Sequence, residues 1–122
     1  MIFNDSGNNK AIAEYVQENW RKNLGVEIGL SSMTFKERLA RMEQKDFDMA
    51  FAGYAGDYRD AISYLDRFES TNGNNYSQYL NLEYDKLVNF VKTSADKKAR
   101  VDAMIKMEKI IAEDMPVGLL YN

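Results

Sequence analysis

Residues 47–54 read FDMAFAGY, a nearly continuous apolar run that predicts a β-strand buried on both faces. Two strand-and-helix pairs precede it. Met1–Phe3 is a short apolar run followed by turn-forming residues, and Val26–Leu30 alternates with the two-residue period of a strand. Strands that alternate with helices predict an α/β fold with three layers around a mainly parallel sheet. Right-handed crossovers set the spatial order of the three strands at 2-1-3.

Two amphipathic helices are predicted between these strands. Apolar residues recur every four positions within Lys10–Leu24, and Gly25 marks the end of that helix. Thr34 and Glu37 have the spacing of a capping box and open the second helix, which we expect to end near residues 45–46. The apolar side of the second helix carries Phe35, Leu39 and Met42.

The second half of the sequence predicts further helices and a last strand. A loop over Ala55–Asp60 leads into a short helical segment, and helices are predicted over Glu83–Lys92 and Asp96–Asp114. Val117–Tyr121 predicts the last strand, and residues 1–122 are predicted to form a single domain. The face of the longest helix is expected to carry Val101, Met104, Ile105, Glu108 and Ile111.

Composition excludes several classes of function. The chain has no Cys and no His, which rules out thiolate nucleophiles, Cys or His metal ligands, disulfides and a Ser/His/Asp triad. A formal net charge of −3 argues against a nucleic-acid partner, which normally meets a basic face. We interpret Lys97, Lys98 and Arg100 as a solvated face. No apolar run approaches the length of a membrane span, and no cofactor is expected.

The candidate binding site is predicted from the topology. Ligands of open parallel sheets bind beyond the carboxyl ends of the strands, where the strand order reverses. For order 2-1-3 this point lies between the loop at Asn4–Ser6 and the loop that carries Tyr54, Gly56, Asp57 and Tyr58. An Asp between two tyrosines at a strand end is well placed to meet a cation. The same residues also suit a glycine-containing turn and tyrosines that pack helices onto the sheet.

Four motifs are similar, in the same order, to those of a known family. They are AExxQxxWxxNLGV at residues 13–26, FDMA leading to GYxxDYxD within 47–60, NYS through EYDKL within 75–87, and IAEDxPV at 111–117. This set covers essentially the whole chain and resembles the oligopeptide- and dipeptide-binding proteins of ABC importers, extracellular solute-binding protein family 5. The resemblance implies part of a type II periplasmic-binding-protein lobe in a bilobal receptor. Such a receptor is not an enzyme; it delivers extracellular peptides to a membrane permease.

The resemblance also implies roles for the residues of the loop after the third predicted strand. In members that bind oligopeptides, the positions of Tyr54 and Asp57 hold the α-ammonium of the peptide. A carboxylate suits that task because charge-assisted hydrogen bonds are roughly twice as strong as neutral ones. Many members have Trp in place of Tyr54 and Pro in place of Ala61, and relatives that bind dipeptides, nickel complexes, opines or sugars share this region.

Such receptors are much longer than this chain and carry a signal peptide or lipobox, which the present sequence does not show. We therefore expect a fragment of the C-terminal lobe of an extracytoplasmic lipoprotein. Half of the binding cleft would be missing, so we expect no peptide binding by the chain alone. An uncovered sheet edge and apolar face would also favour self-association.

Two other classes of protein fit parts of the pattern. A response-regulator receiver also begins with three alternating strands and would use Asp57 as a phosphoacceptor. The loop after the first strand offers only Asp5 for a Mg²⁺ site, however, and the later strand-end Thr or Ser and Lys are missing. A glycosidase could use Asp57 and Asp60 as its carboxylate pair, but two residues of one short loop are not expected to face each other across a substrate.

Overall fold

The computed structural model describes residues 1–120, which contain two short strands and five α-helices. These residues divide into two compact units, one over residues 1–53 and the other from Tyr54 onward. The first unit contains β1 (Ile2–Asn4), α1 (Asn9–Leu24), β2 (Ser31–Met33) and α2 (Phe35–Glu43). The second contains α3 (Ile62–Leu65), a 3-10 turn (Asp66–Phe68), α4 (Leu82–Thr93) and α5 (Lys97–Asp114).

The two helices of the first unit end and begin as the sequence predicts. Gly25 follows α1 with a left-handed φ of 66°, and its N–H donates to the carbonyl of Trp20. At the start of α2, the Thr34 hydroxyl accepts from the Glu37 N–H at 3.2 Å, and the Glu37 carboxylate accepts from the Thr34 N–H at 2.8 Å. This reciprocal capping box satisfies two backbone donors that a helix start would otherwise leave unpaired.

The sheet of the first unit is smaller than predicted. β1 and β2 pair in parallel with Ile2 opposite Ser31, so the prediction of a second strand at Val26–Leu30 is wrong. Residues 26–30 precede the ladder with β1. The Ile28 carbonyl accepts from the Gln17 side chain at 2.7 Å, and the Gly29 carbonyl accepts from the amino group of Met1. Alternation alone does not make a strand when no neighbour supplies hydrogen bonds.

The predicted third strand is reduced to one bridge. Ala50 bridges Ile2 in parallel, and no other residue of the 47–54 run pairs within residues 1–120. The Phe51 carbonyl accepts from the buried Arg38 guanidinium at 2.8 Å, which satisfies the backbone where a strand neighbour would otherwise be needed. Ala52 and Gly53 are exposed, so the run is not buried on both faces. Phe35 is exposed, contrary to the prediction for α2, whereas Met42 is buried as predicted and Arg38 is buried as well.

The core of the second unit lies between α3, α4 and α5. The Tyr84 hydroxyl is buried in it and donates to the Leu65 carbonyl at 2.7 Å. Asn81 and Asp96 cap α4 and α5 by accepting from backbone N–H groups of the first turn, and the Asp96 cap was predicted. The buried side chains of this core are Ile62, Leu65, Tyr84, Val88, Val91, Ala103, Met107 and Ile111.

Two sequence predictions for the second unit need correction. α5 buries Ile111 as predicted, together with Ala103 and Met107, whereas Val101 and Ile105 of the predicted face are 50% and 46% exposed. The helix has two apolar sides. α4 packs against the side that carries Met107, not against the side that carries Val101 and Ile105. Residues 117–120 form no strand, and Tyr121, the last residue of that prediction, lies outside the described residues. No helix within residues 1–120 is both long enough and apolar enough to cross a bilayer.

Candidate functional site

The predicted binding residues Tyr54, Gly56, Asp57 and Tyr58 lie in one exposed loop that opens the second unit. The Tyr54 hydroxyl donates to Oδ2 of Asp57 at 2.8 Å, and this hydrogen bond raises the pKa of Tyr54. Within residues 1–120, Oδ1 of Asp57 accepts no hydrogen bond. The loop therefore presents a carboxylate that is held by one neighbour and keeps one oxygen available to a ligand.

Tyr58 contributes to the loop through its backbone. Its carbonyl accepts from the Asp60 N–H at 2.9 Å and from the Ser63 hydroxyl at 3.2 Å. Its ring is exposed, so it is free to meet a ligand but is not positioned by a described contact with the carboxylate. These bonds to Asp60 and Ser63 fold the loop back onto the start of α3.

Gly56 lies where the loop passes close to α3. A Cβ at this position would meet the Ser63 hydroxyl oxygen at 2.5 Å and the edge of the Tyr64 ring at 2.6 Å. Ser63 is 1% exposed and cannot move aside, and the Tyr64 ring packs edge-on against Tyr54 at 5.9 Å between centroids. The missing side chain of Gly56 thus lets the loop approach α3 and keep Tyr54 in place.

Gly56→Ala should lower the free energy of unfolding by about 1–3 kcal/mol, because the added methyl group overpacks a contact that cannot relax. Urea unfolding followed by circular dichroism measures this change. Gly53→Ala is the matched control, since nothing lies within 4 Å of a Cβ there. Equal unfolding midpoints for the two variants would contradict the close approach of Gly56.

The far end of the loop is fixed by an ion pair. The Arg100 guanidinium donates to Oδ2 of Asp60 at 2.6 Å and to the Val91 carbonyl at 2.9 Å, while Oδ1 of Asp60 accepts from the Ile62 N–H at 3.2 Å. The hydrogen bond from Arg100 lowers the pKa of Asp60. The interpretation of Arg100 as part of a solvated face is therefore wrong. Asp60 stays ionised in this pair and does not suit the general acid of a glycosidase, which needs a raised pKa.

Arg67 completes the surroundings of Tyr54, and this contact was not predicted from the sequence. Its guanidinium carbon lies 4.1 Å from the centroid of the Tyr54 ring. Partial burial lowers the pKa of Arg67. No spacing rule links Arg67 to the loop, so the sequence alone gives no signal for this stacking.

The polar residues after β1 belong to the first unit. Asn4 donates to the Ser6 hydroxyl at 2.5 Å, and the Asn9 side chain donates to the Asn4 carbonyl at 3.1 Å. These bonds close the turn that leads into α1, and Asp5 is exposed beside them. Of the three polar residues predicted here, Asn4 and Ser6 therefore form hydrogen bonds within the turn.

The part of the chain that the structure describes contains no group of three Asp or Glu residues arranged to hold a metal ion. A receiver needs such an acidic group to bind Mg²⁺ beside its phosphoacceptor. The surroundings of Asp57 contain a tyrosine hydroxyl and an aromatic-stacked arginine instead. This environment suits recognition of a ligand better than phosphoryl transfer.

The model of the bacterial extracellular solute-binding proteins, family 5 Middle, matches residues 1–76 of the chain. The chain belongs to this family. Among curated proteins it is 34% identical to the oligopeptide-binding protein OppA of Bacillus subtilis and 32% identical to the periplasmic murein peptide-binding protein MppA of Escherichia coli. These matches cover 99% and 100% of the chain but only 22% and 23% of the relatives, so the chain spans less than a quarter of their length.

Solved structures of peptide-binding proteins also match this chain over most of its length. The Escherichia coli murein tripeptide-binding protein MppA matches 94% of this chain with a TM-score of 0.90 and 33% identity, over 23% of its own chain. Haemophilus influenzae OppA in complex with RPPGFSPFR matches 93% of this chain with a TM-score of 0.88 and 28% identity, over 22% of its own chain. The fold is therefore the mixed α/β fold of a segment of type II peptide-binding proteins.

Proposed function

We propose that this chain is part of the C-terminal lobe of a receptor that captures peptides outside the cytoplasmic membrane and delivers them to an ABC permease. Family membership supports this proposal, as do relatives that are named for binding oligopeptides and murein peptides. The proposed activity is binding and release, without chemical change of the ligand. In this proposal the parent protein is an extracytoplasmic lipoprotein.

The observation that carries the proposal is the geometry at Asp57. One carboxylate oxygen accepts from Tyr54, which orients the group, and the other accepts no hydrogen bond within residues 1–120. In the proposed complex, that free oxygen accepts a hydrogen bond from the α-ammonium of the peptide. Gly56 lets the backbone hold this arrangement close to α3, and the exposed ring of Tyr58 offers apolar contact to the ligand.

In the intact receptor we propose a more complete sheet and core. The segment around the Ala50 bridge would extend into the third strand of a 2-1-3 sheet, and the chain would form part of one lobe domain. Neighbouring parts of that lobe would cover apolar side chains that are exposed here, such as Leu80 and Leu119. Without this cover we expect the isolated chain to self-associate.

Isothermal titration calorimetry tests the proposal with the full-length receptor that contains this segment and with the 122-residue chain. We expect the receptor to bind an unmodified tetrapeptide such as Ala-Ala-Ala-Ala with a Kd on the order of micromolar, and the chain alone to give no measurable heat. One lobe cannot enclose a ligand and exclude water from its charged groups. Micromolar binding by the isolated chain, or no peptide binding by the receptor, would contradict the proposal.

A further inference from the structure

Two opposite charges lie around one tyrosine ring of the candidate site. The Asp57 carboxylate accepts from the Tyr54 hydroxyl at 2.8 Å, and the Arg67 guanidinium lies over the ring face at 4.1 Å from its centroid. No hydrogen bond or ion pair within residues 1–120 joins the two groups directly. Both charges therefore remain available to a ligand that approaches this tyrosine.

Arg67 differs from the paired arginines of the described chain. Arg21 forms an ion pair with Glu18 at 2.7 Å and Arg100 forms one with Asp60 at 2.6 Å, whereas no carboxylate within residues 1–120 lies at ion-pair distance from Arg67. Its neighbours are aromatic rings, those of Tyr54 and Phe68. Partial burial of a guanidinium without an ion-paired anion is unfavourable, because contact with aromatic rings replaces only part of the lost hydration. A ligand carboxylate would replace that water.

Stacking also suits Arg67 to this task. The contact with the Tyr54 ring restricts the guanidinium before a ligand arrives, and no hydrogen bond within residues 1–120 occupies its N–H groups. Arginine binds carboxylates through two parallel hydrogen bonds, and a fixed plane loses little entropy when such a pair forms.

We propose that Arg67 selects peptides with an acidic side chain at the first or second residue by binding that carboxylate. This inference rests on the proposed function, because it places the α-ammonium of the peptide at Asp57. Neighbouring residues of an extended peptide are about 3.3–3.6 Å apart, so a carboxylate at either position can reach across the width of one aromatic ring. Acidic residues further along the peptide extend beyond Arg67.

The test compares matched tetrapeptides by calorimetry on the full-length receptor. Glu-Ala-Ala-Ala or Ala-Glu-Ala-Ala should bind about 10-fold more tightly than the same peptide with Gln in place of Glu. The receptor should bind Ala-Ala-Ala-Glu and Ala-Ala-Ala-Gln with equal affinity. In Arg67→Gln the preference should fall to less than about twofold, while Arg59→Gln, which removes an exposed arginine of the same loop, should keep it.

The ratio of two affinities measured on one preparation does not depend on the folded fraction, so a destabilised Arg67→Gln variant still gives a valid result. Equal affinities for the Glu and Gln peptides in the wild type would overturn the inference and leave the proposed function standing. A preference for Glu peptides that persists in Arg67→Gln would also overturn the inference and leave the proposed function standing. Failure of every peptide to bind the wild-type receptor would overturn both.

Discussion

Asp57→Asn should weaken binding of a free-amine peptide to the full-length receptor by roughly 100-fold, while binding of the N-acetylated peptide should change less than about threefold. The substitution keeps the shape of the side chain and removes the charge that we propose meets the α-ammonium. Losing one partner of a desolvated charge pair costs about 2–5 kcal/mol, and 100-fold corresponds to about 2.7 kcal/mol. Titration calorimetry with the two forms of one tetrapeptide measures both affinities.

Asp102→Asn is the control for this experiment. Asp102 is an exposed carboxylate on α5, and its loss changes the net charge of the protein by the same amount. Affinities for both peptides should stay within about twofold of wild type in this variant. If Asp57→Asn weakened the free and acetylated peptides equally, the carboxylate would not be the ammonium site.

Met107→Ala should lower the free energy of unfolding of the 122-residue chain by about 2–5 kcal/mol. Met107 is fully buried in the core between α4 and α5, and truncation removes apolar contacts and leaves a cavity. The midpoint of urea unfolding, followed by circular dichroism at 222 nm, measures the loss.

Ile105→Ala is the matched control, because Ile105 lies two residues away on the same helix and is 46% exposed. Truncation of Ile105 should lower the free energy of unfolding by less than about 1 kcal/mol. A larger loss for Ile105→Ala than for Met107→Ala would mean that α5 buries the face predicted from the sequence.

The two ends of α5 could be predicted from the sequence, but its buried face could not. Its start at the Asp96 cap and its end at Asp114 were predictable, because capping side chains and the following Met115-Pro116 act on the nearest backbone groups. Its buried face was not predictable. One side carries Val101 and Ile105 and the other carries Met107 and Ile111, and only packing against α4 decides between them.

The strands show the same dependence on partners. Val26–Leu30 alternates as a strand should, but β1 pairs with Ser31–Met33 instead. The 47–54 run is apolar enough for a central strand, yet only Ala50 pairs with Ile2. Periodicity reports how side chains could be distributed between two faces, whereas a strand exists only where another backbone supplies hydrogen bonds.

At the candidate site, neighbours in sequence were predictable and distant partners were not. Tyr54 and Asp57 are close enough along one loop that contact between them follows from chain connectivity. Arg67 and Arg100 reach the loop from later elements, and a single sequence contains no signal that pairs a particular arginine with a particular ring or carboxylate. The resemblance to a family identified the loop, but not the two cations beside it.

The ion pair between Asp60 and Arg100 gives the two ends of the loop different roles. Arg100 ties Asp60 and the Val91 carbonyl together, so a change at either charged residue would disturb α4 and α5 as well as the loop. Tyr54 and Asp57 contact only each other, Tyr64 and Arg67 among the interactions described above. If Tyr54 and Asp57 meet the ligand as proposed, substitutions at these two positions would change ligand preference while the ion pair between Asp60 and Arg100 keeps the helices assembled.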